Sequence, residues 1–159
     1  MKLSTKGRYA MVALTDLALL NEGQLLSLAE ISKRQDISLP YLEQLFVKLR
    51  RAELVASVRG PGGGYKLARP ASEIRVSDIL SAVDETVSAM HTGAGASGGI
   101  SGSRAQSMTN RLWEGLSAHV YVFLHQTRLA DVVQNELRPC PAVPHLFEVV
   151  DEEPPAPAS

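Results

Sequence analysis

Three polar side chains in the first 60 residues have the chemistry that is needed to read DNA bases. Glu43 can accept a hydrogen bond from the amino group of cytosine, and its neighbour Gln44 can pair with adenine. Arg59 comes directly before the glycine-rich stretch 60–64, and an arginine on a slim turn suits the minor groove. These residues predict a DNA-reading surface if one helix presents Glu43 and Gln44 and a turn presents Arg59.

A second set of residues has the cationic or hydrogen-bonding groups that bind DNA phosphates. Cations neutralise the phosphates, while backbone N–H groups at helix starts and turns donate hydrogen bonds to them. The candidate phosphate contacts are Lys2, Lys6, Arg8, Ser38, Lys48, Arg50 and Gly60. Two alternatives stay open, because Lys48 and Arg50 can also form a solvated helix face and Glu43 can pair with Lys48 within one helix.

The two halves of the chain carry opposite net charge. Residues 1–75 contain 12 Lys and Arg against 7 Asp and Glu, whereas residues 76–159 contain 4 against 10. A basic region of this kind favours a polyanion as partner of the N-terminal half only, and the fold has to show whether that polyanion is DNA.

The elements that must position these residues begin with two helices. Apolar residues at helical spacing predict a first helix that Ser4 caps and that ends near Leu20. Ser27 and Glu30 have the spacing of a capping box, in which each side chain binds the other residue's backbone N–H. This motif predicts a short second helix over residues 28–34.

A third helix and a hairpin complete the predicted arrangement. Ser38 caps this helix, and Pro40 stands in its first turn, where the missing N–H costs little. Residues 54–59 and 65–68 have strand patterns and flank the glycine turn. Three helices followed by a hairpin predict a winged helix-turn-helix, with the third helix in the major groove and the hairpin as the wing.

The second half of the chain is predicted to be helical on both sides of a low-complexity stretch. Residues 76–83 predict a short helix, while residues 91–106 are rich in Gly, Ser and Ala and predict a flexible loop. A long helix follows over residues 108–126, and a short helix or turn over residues 129–133. The long helix places four apolar residues on one face, namely Leu112, Leu116, Val120 and Phe123.

The composition argues against several other classes of protein. The single cysteine, Cys140, excludes an intramolecular disulfide framework and fits a reducing compartment. Asp16 interrupts the N-terminal apolar run, and no stretch reaches the roughly 20 apolar residues of a membrane span, so we expect a cytoplasmic protein without a membrane partner. We also expect no enzymatic activity, because the sequence offers no nucleophile with an adjacent base, no paired carboxylates and no phosphate loop.

Three segments within residues 1–87 carry a resemblance to a known family. They read STKGRYAMVALTDLALL, LAEISKRQDISLPYLEQLFVKLRRAELVASVRGPGGGYKLARPASEI and DILSAVDE, and the pair Leu112-Trp113 follows later. Together they closely resemble the bacterial iron–sulfur cluster regulators of the IscR type. The resemblance implies a homodimeric winged-helix repressor or dual regulator of transcription, whose long C-terminal helix crosses to the partner subunit.

The resemblance also implies roles for individual residues. Glu43 and Gln44 match base-reading positions, Arg59 matches the arginine of the wing, and Tyr41 matches a DNA-contacting tyrosine. Relatives often carry serine directly before that tyrosine, whereas this chain has Pro40. One polar contact is therefore missing, which leaves room for a different target preference.

By this resemblance the chain divides into four regions. Residues 1–86 form the winged helix-turn-helix DNA-binding domain, and residues 87–107 form a Gly/Ser-rich loop equivalent to the cluster loop. Residues 108–137 are the dimerisation-helix region, and residues 138–159 are a tail rich in proline and acidic residues. The expected fold is mainly α, with a two-stranded wing and a long C-terminal dimerisation helix.

The loop departs from the family at the residues that bind the cluster. Members that sense iron–sulfur status carry three cysteines there and a histidine, whereas Ser107 and Asn110 stand at the last two of those positions. A hydroxyl is a poor iron ligand beside a thiolate, so two explanations compete: the cluster is absent, or a [2Fe-2S] cluster has atypical ligands. The candidate ligands are Cys140 with His91, His119, His125 or His145, and Cys140, His91 and His145 are preferred.

The sequence thus predicts a homodimeric, sequence-specific DNA-binding regulator, expected to repress iron or iron–sulfur cluster genes from a pseudo-palindromic operator. The alternative is a winged-helix regulator that senses redox state or another effector without a cluster. A third class is a protein-interaction winged helix that does not bind DNA, against which the basic N-terminal half argues.

Overall fold

The computed structural model describes residues 4–85 and 103–137 of the 159-residue chain. Its helices are α1 (Thr5–Ala18), α2 (Leu28–Gln35), α3 (Leu39–Arg51), α4 (Val76–Ala82), α5 (Arg104–Gln126) and α6 (Leu129–Val133), with a 3-10 turn over Ala71–Glu73. The strands β1 (Val55–Val58) and β2 (Gly64–Leu67) pair antiparallel. The mainly α fold with a two-stranded wing confirms the prediction.

The core lies where the first three helices meet the hairpin and α4. The apolar stripe of α3 is buried and consists of Leu42, Leu45, Phe46 and Leu49. Ala10, Ala13 and Leu14 of α1 pack into the same cluster. Because these positions recur at helical spacing, the opposite face of α3 is left to solvent.

An ion pair fixes the helix-turn-helix against the first helix. Asp16 of α1 is almost buried, and its carboxylate accepts a hydrogen bond from Arg34 at 3.2 Å. The turn after α2 passes through Asp36 with φ 53°, and the Ser32 hydroxyl donates to the carbonyl of Ile37 at 2.6 Å. The start of α3 is therefore held in one orientation relative to α1.

The predicted caps of α2 and α3 are confirmed. Ser27 Oγ accepts from the backbone N–H of Glu30 at 3.2 Å, and the Glu30 carboxylate accepts from the N–H of Ser27 at 2.8 Å. Ser38 Oγ accepts from the backbone N–H of Tyr41 at 3.4 Å, and Pro40 lies in the first turn of α3. Both helices thus begin where the sequence places them.

The cap of α1 differs from the prediction. Ser4 stands at the N-cap position, but its hydroxyl donates a hydrogen bond to the carboxylate of Glu85 instead of accepting one from the helix. Glu85 also accepts from the backbone N–H groups of Ser4 and Gly7, both at 3.3 Å. A carboxylate at a helix N-terminus supplies both an acceptor and a favourable charge, so Glu85 replaces the serine cap.

The hairpin gains a third short strand segment that the sequence analysis missed. Leu26 pairs with Tyr65 as an isolated bridge, with N–O distances of 3.0 and 2.8 Å. Gly64 makes this approach possible, because a Cβ atom there would lie 2.9 Å from the backbone of Leu26. The wing is therefore hydrogen-bonded on its inner edge to the segment before α2.

The long helix begins earlier than predicted. α5 starts at Arg104 and not at Met108, because Ser103 and Gln106 form a capping box with distances of 3.2 Å. The predicted loop over residues 91–106 was therefore too long at its C-terminal end, while residues 86–102 lie outside the described part. α6 has the predicted bounds of Leu129–Val133.

The C-terminal end of α5 is attached to the N-terminal domain through α4. The N–H of Val76 donates to the carbonyl of Thr127 at 3.0 Å, and the N–H of Leu129 donates to that of Ile74 at 2.9 Å. Arg75 Nη1 donates to the carbonyl of His125 at 3.0 Å. Among the described helices, none is long and apolar enough to cross a membrane.

Candidate nucleic-acid interface

The outward face of α3 presents the two predicted base-reading residues side by side. Glu43 and Gln44 are both exposed, on the face opposite the buried stripe. Neither side chain makes a hydrogen bond or ion pair within the parts of the chain that the structure describes. Their acceptor and donor groups are therefore available to a ligand that enters from this side.

Arg59 is exposed at the tip of the hairpin, directly after β1. The turn that follows needs backbone conformations that favour glycine, with φ values of 107° at Gly60 and 72° at Gly62. The N–H of Gly63 donates to the carbonyl of Gly60 at 2.8 Å and closes the turn. The result is a narrow turn with Arg59 at its start, as the sequence predicts.

The wing and α3 are held together by an aromatic pair. The rings of Phe46 and Tyr65 meet edge to face with centroids 4.8 Å apart. The chain also returns directly from α3 into β1, where the N–H of Leu54 donates to the carbonyl of Leu49 at 3.1 Å. The strands that carry the wing turn are consequently anchored to α3.

Tyr41 lies away from the pair formed by Glu43 and Gln44. Its ring is half-buried and packs edge to face on Tyr9 of α1, with centroids 5.6 Å apart. The side chain thus bridges α1 and α3 at the edge of the exposed face, and only part of the ring is accessible.

The candidate phosphate contacts surround this face. Arg8 and Arg50 are exposed, Lys6 is half-exposed, and Ser38 and Gly60 are exposed at the start of α3 and in the wing turn. Lys2 lies outside the described residues. The cations among them provide positive charge on both α1 and α3.

Lys48 is the exception among these cations, because it already has an anionic partner. Its Nζ atom lies 2.6 Å from Asp84 Oδ2 at the end of α4, and the two side chains are 40% and 72% exposed. The hydrogen bond and charge of Lys48 hold the pKa of Asp84 below its ordinary value, with a smaller contribution from Lys6. The alternative pairing of Lys48 with Glu43 is thus replaced by a contact to another helix.

Asp84 and Glu85 were missed as residues of functional interest. Burial raises the pKa of Glu85, but the hydrogen bonds from Ser4 and Gly7 outweigh it and leave the pKa below its ordinary value. The two carboxylates therefore stay ionised beside α1 and α3. They end the segment DILSAVDE, but the sequence does not show that Glu85 meets Ser4, because the two residues are 81 positions apart.

The preferred cluster ligands Cys140, His91 and His145 lie outside the described residues. Within residues 4–85 and 103–137, no group of three His, Cys, Asp or Glu residues is placed to hold a metal ion. His125 is engaged elsewhere, since its Nδ1 lies 3.2 Å from Ser77 Oγ and its ring stacks on Tyr121. The described residues therefore do not form a site that fits an iron–sulfur cluster.

Comparison with known proteins decides the family. Residues 3–135 match the family Rrf2, which is described as an iron-dependent transcriptional regulator. The chain belongs to the Rrf2 family. This membership makes the chain a DNA-binding transcriptional regulator, as the sequence predicts.

Curated relatives of this Rrf2 protein include two regulators that are named HTH-type transcriptional regulator IscR. That of Cereibacter sphaeroides is 81% identical over 96% of this chain and 100% of its own length. That of Vibrio atlanticus is 48% identical over 85% of this chain and 76% of its own length. Both names describe regulators and not enzymes, and the predicted IscR-type family is confirmed.

Solved structures support the same fold for this Rrf2 protein. IscR of T. potens superposes with a TM-score of 0.67 at 35% identity, covering 86% of this chain and 88% of that one. CymR of B. subtilis, the global cysteine regulator, superposes with a TM-score of 0.71 at 31% identity and covers 85% of this chain and 98% of its own.

Proposed function

We propose that this regulator reads a pseudo-palindromic operator as a homodimer, with Glu43 and Gln44 on base edges in the major groove and Arg59 in the minor groove. The observation that supports this most is the joint placement of these residues. Glu43 and Gln44 are exposed together on α3, and the Phe46–Tyr65 pair fixes the wing beside them. A rigid pairing of helix and wing suits two adjacent grooves of one duplex.

The phosphate contacts follow from the same placement. The exposed Arg8 of α1 and Arg50 of α3 supply cations, and the capped start of α3 at Ser38 supplies backbone donors. Tyr41, half-buried against Tyr9, contributes its accessible edge at the rim of this surface. Lys2, Lys6, Lys48 and Gly60 complete the proposed set of backbone contacts.

The proposed dimer rests on the exposed face of α5. This 23-residue helix contains no buried residue within the described chain. Its exposed apolar residues are Met108, Leu112, Trp113, Leu116, Tyr121, Val122 and Phe123. Met108, Leu112, Leu116 and Phe123 recur at helical spacing on one face, and an apolar face of this kind favours burial against a second copy. Two-fold symmetry would then set two half-sites about one helical turn or a small multiple apart.

We propose iron or iron–sulfur status as the signal, with repression as the mode of action. The family description as iron-dependent supports the signal. Any [2Fe-2S] cluster would need atypical ligands such as Cys140, His91 and His145, because the chain has one cysteine. The alternative is a redox signal or another effector without a cluster. It predicts that the purified protein is colourless, contains no iron and has the same DNA affinity as Cys140→Ala. The two hypotheses are tested on wild type and Cys140→Ala, both purified anaerobically. Iron and sulfide analysis and a visible spectrum of each protein decide whether a cluster is bound.

Binding to duplexes selected from a random library tests the base-reading proposal. We expect Arg59→Ala to weaken binding across sequences and to make the salt dependence shallower. We expect Glu43→Ala mainly to relax the base preference at one position of each half-site. Glu73→Ala, which removes an exposed carboxylate outside α3 and the wing, is the matched control. If both test variants behave like this control, the assignment of these residues is wrong.

A further inference from the structure

Val47 is an exposed apolar residue whose nearest neighbours one turn away on the same side of α3 are polar or charged. Its side chain is 52% exposed, although it stands in the middle of α3. At about 100° per residue, its direction falls between those of Glu43 and Gln44, one turn further along the helix. Arg50 and Arg51 continue the same exposed face, so Val47 lies between the proposed base readers and two cations.

The fold gives no reason for an apolar residue at this position. The core positions of α3 are Leu42, Leu45, Phe46 and Leu49, on the opposite side of the helix. A β-branched residue on an exposed helix face is also slightly unfavourable for helix formation. The packing of the subunit therefore does not require a valine at this position, and its side chain is free to contact a ligand.

Among the four bases, only thymine presents a methyl group in the major groove. We propose that Val47 packs on the 5-methyl group of a thymine and thereby helps to specify the operator, which rests on the proposed function of α3 as the base-reading helix. Four residues of helix span about 6 Å, so this thymine lies within about two base pairs of the pair that Glu43 reads. Val47 adds an apolar contact to the two polar ones.

The occupant of this face is a thymine methyl and not a second protein surface. The exposed apolar residues of α5 already offer a surface for another subunit, whereas polar and cationic side chains surround Val47 on α3. A single apolar side chain among groups that suit base edges and phosphates fits a DNA groove.

Replacement of thymine by uracil removes this methyl group and nothing else. Duplexes selected by the wild-type protein from a random library are first resynthesised with one symmetric pair of thymines changed to uracil at a time. We expect one such pair to weaken wild-type binding about 10- to 25-fold, because each buried methyl contributes about three- to fivefold and a dimer buries two. Val47→Ser should lose this sensitivity, whereas Val47→Thr, which keeps one methyl, should retain part of it.

Val12→Ser serves as the control, because Val12 is an exposed valine of α1 that is not among the proposed base-reading residues. It should keep the wild-type response to uracil. The inference is overturned if uracil weakens binding of wild type and Val47→Ser equally, or weakens neither. If the wild-type protein selects no sequence at all, the proposed function itself fails, and this inference fails with it.

Discussion

The contact between Lys48 and Asp84 predicts that one substitution will strengthen DNA binding. Lys48 projects from α3, yet its Nζ atom lies 2.6 Å from Asp84 Oδ2. A phosphate that recruits Lys48 must displace this carboxylate. In Asp84→Asn the amide has no charge to compete, so the lysine becomes available to DNA in every complex.

The size of this effect follows from counterion release. Each additional phosphate contact steepens the slope of log K against log salt concentration by about 0.9. One lysine per subunit therefore steepens the slope of a dimer by up to about 1.8. Asp84→Asn should gain the most DNA affinity at low salt. Concentrated salt screens the charges of the partly exposed Lys48–Asp84 pair, so removal of the Asp84 charge then has less effect.

Fluorescence anisotropy of a labelled duplex over a series of salt concentrations measures this slope. Asp36→Asn is the matched control, since Asp36 is an exposed aspartate with φ 53° where Asp84 has φ 57°. The control changes net charge by the same amount without releasing Lys48. If Asp84→Asn and Asp36→Asn give the same slope, only net charge matters and the reasoning from the Lys48 contact is refuted.

Three further substitutions test other parts of the structure. Leu116→Glu places a charge on the exposed apolar face of α5 and should shift the protein from dimer to monomer in sedimentation analysis; an unchanged dimer would exclude this face. Gly64→Ala brings a Cβ within 2.9 Å of the Leu26 backbone and should lower the free energy of unfolding in urea by about 1–3 kcal/mol. Glu85→Gln should destabilise the protein at neutral pH. The pKa of Glu85 is lower in the folded protein than in the unfolded chain. The stability that its charge contributes is therefore present above the unfolded pKa and is lost as pH falls through the folded pKa. Wild type and Glu85→Gln should consequently have the same free energy of unfolding in acid. A constant difference at all pH values would contradict this account of the cap.

Local patterns were sufficient to predict the helix-turn-helix and the wing. The spacing of Leu42, Leu45, Phe46 and Leu49 defines the buried side of α3 and thereby the exposed side. The capping box at Ser27 sets the start of α2. Such signals are readable because they involve residues within one or two helical turns of one another.

Contacts between distant residues were not predictable in the same way. The Ser4 hydroxyl can either accept a hydrogen bond from the backbone of α1 or donate one to a carboxylate. Only the tertiary position of Glu85 decides between these two roles. Lys48 likewise pairs with a residue 36 positions away and not with the nearby Glu43. The start of α5 was a different case, because the Ser103–Gln106 capping box was visible but lay within a stretch that resembles a linker.

Hydrogen–deuterium exchange with and without a selected duplex tests the central claim most directly, namely that α3 and the wing form the DNA-reading surface. The backbone of the wing turn at residues 59–63 is largely exposed, so DNA in the adjacent groove should slow its exchange strongly. The start of α3 at residues 38–44 should also be protected, while residues 114–126 of α5 should exchange equally in both states. Protection of α5 with no change in the wing and at the start of α3 would contradict the account.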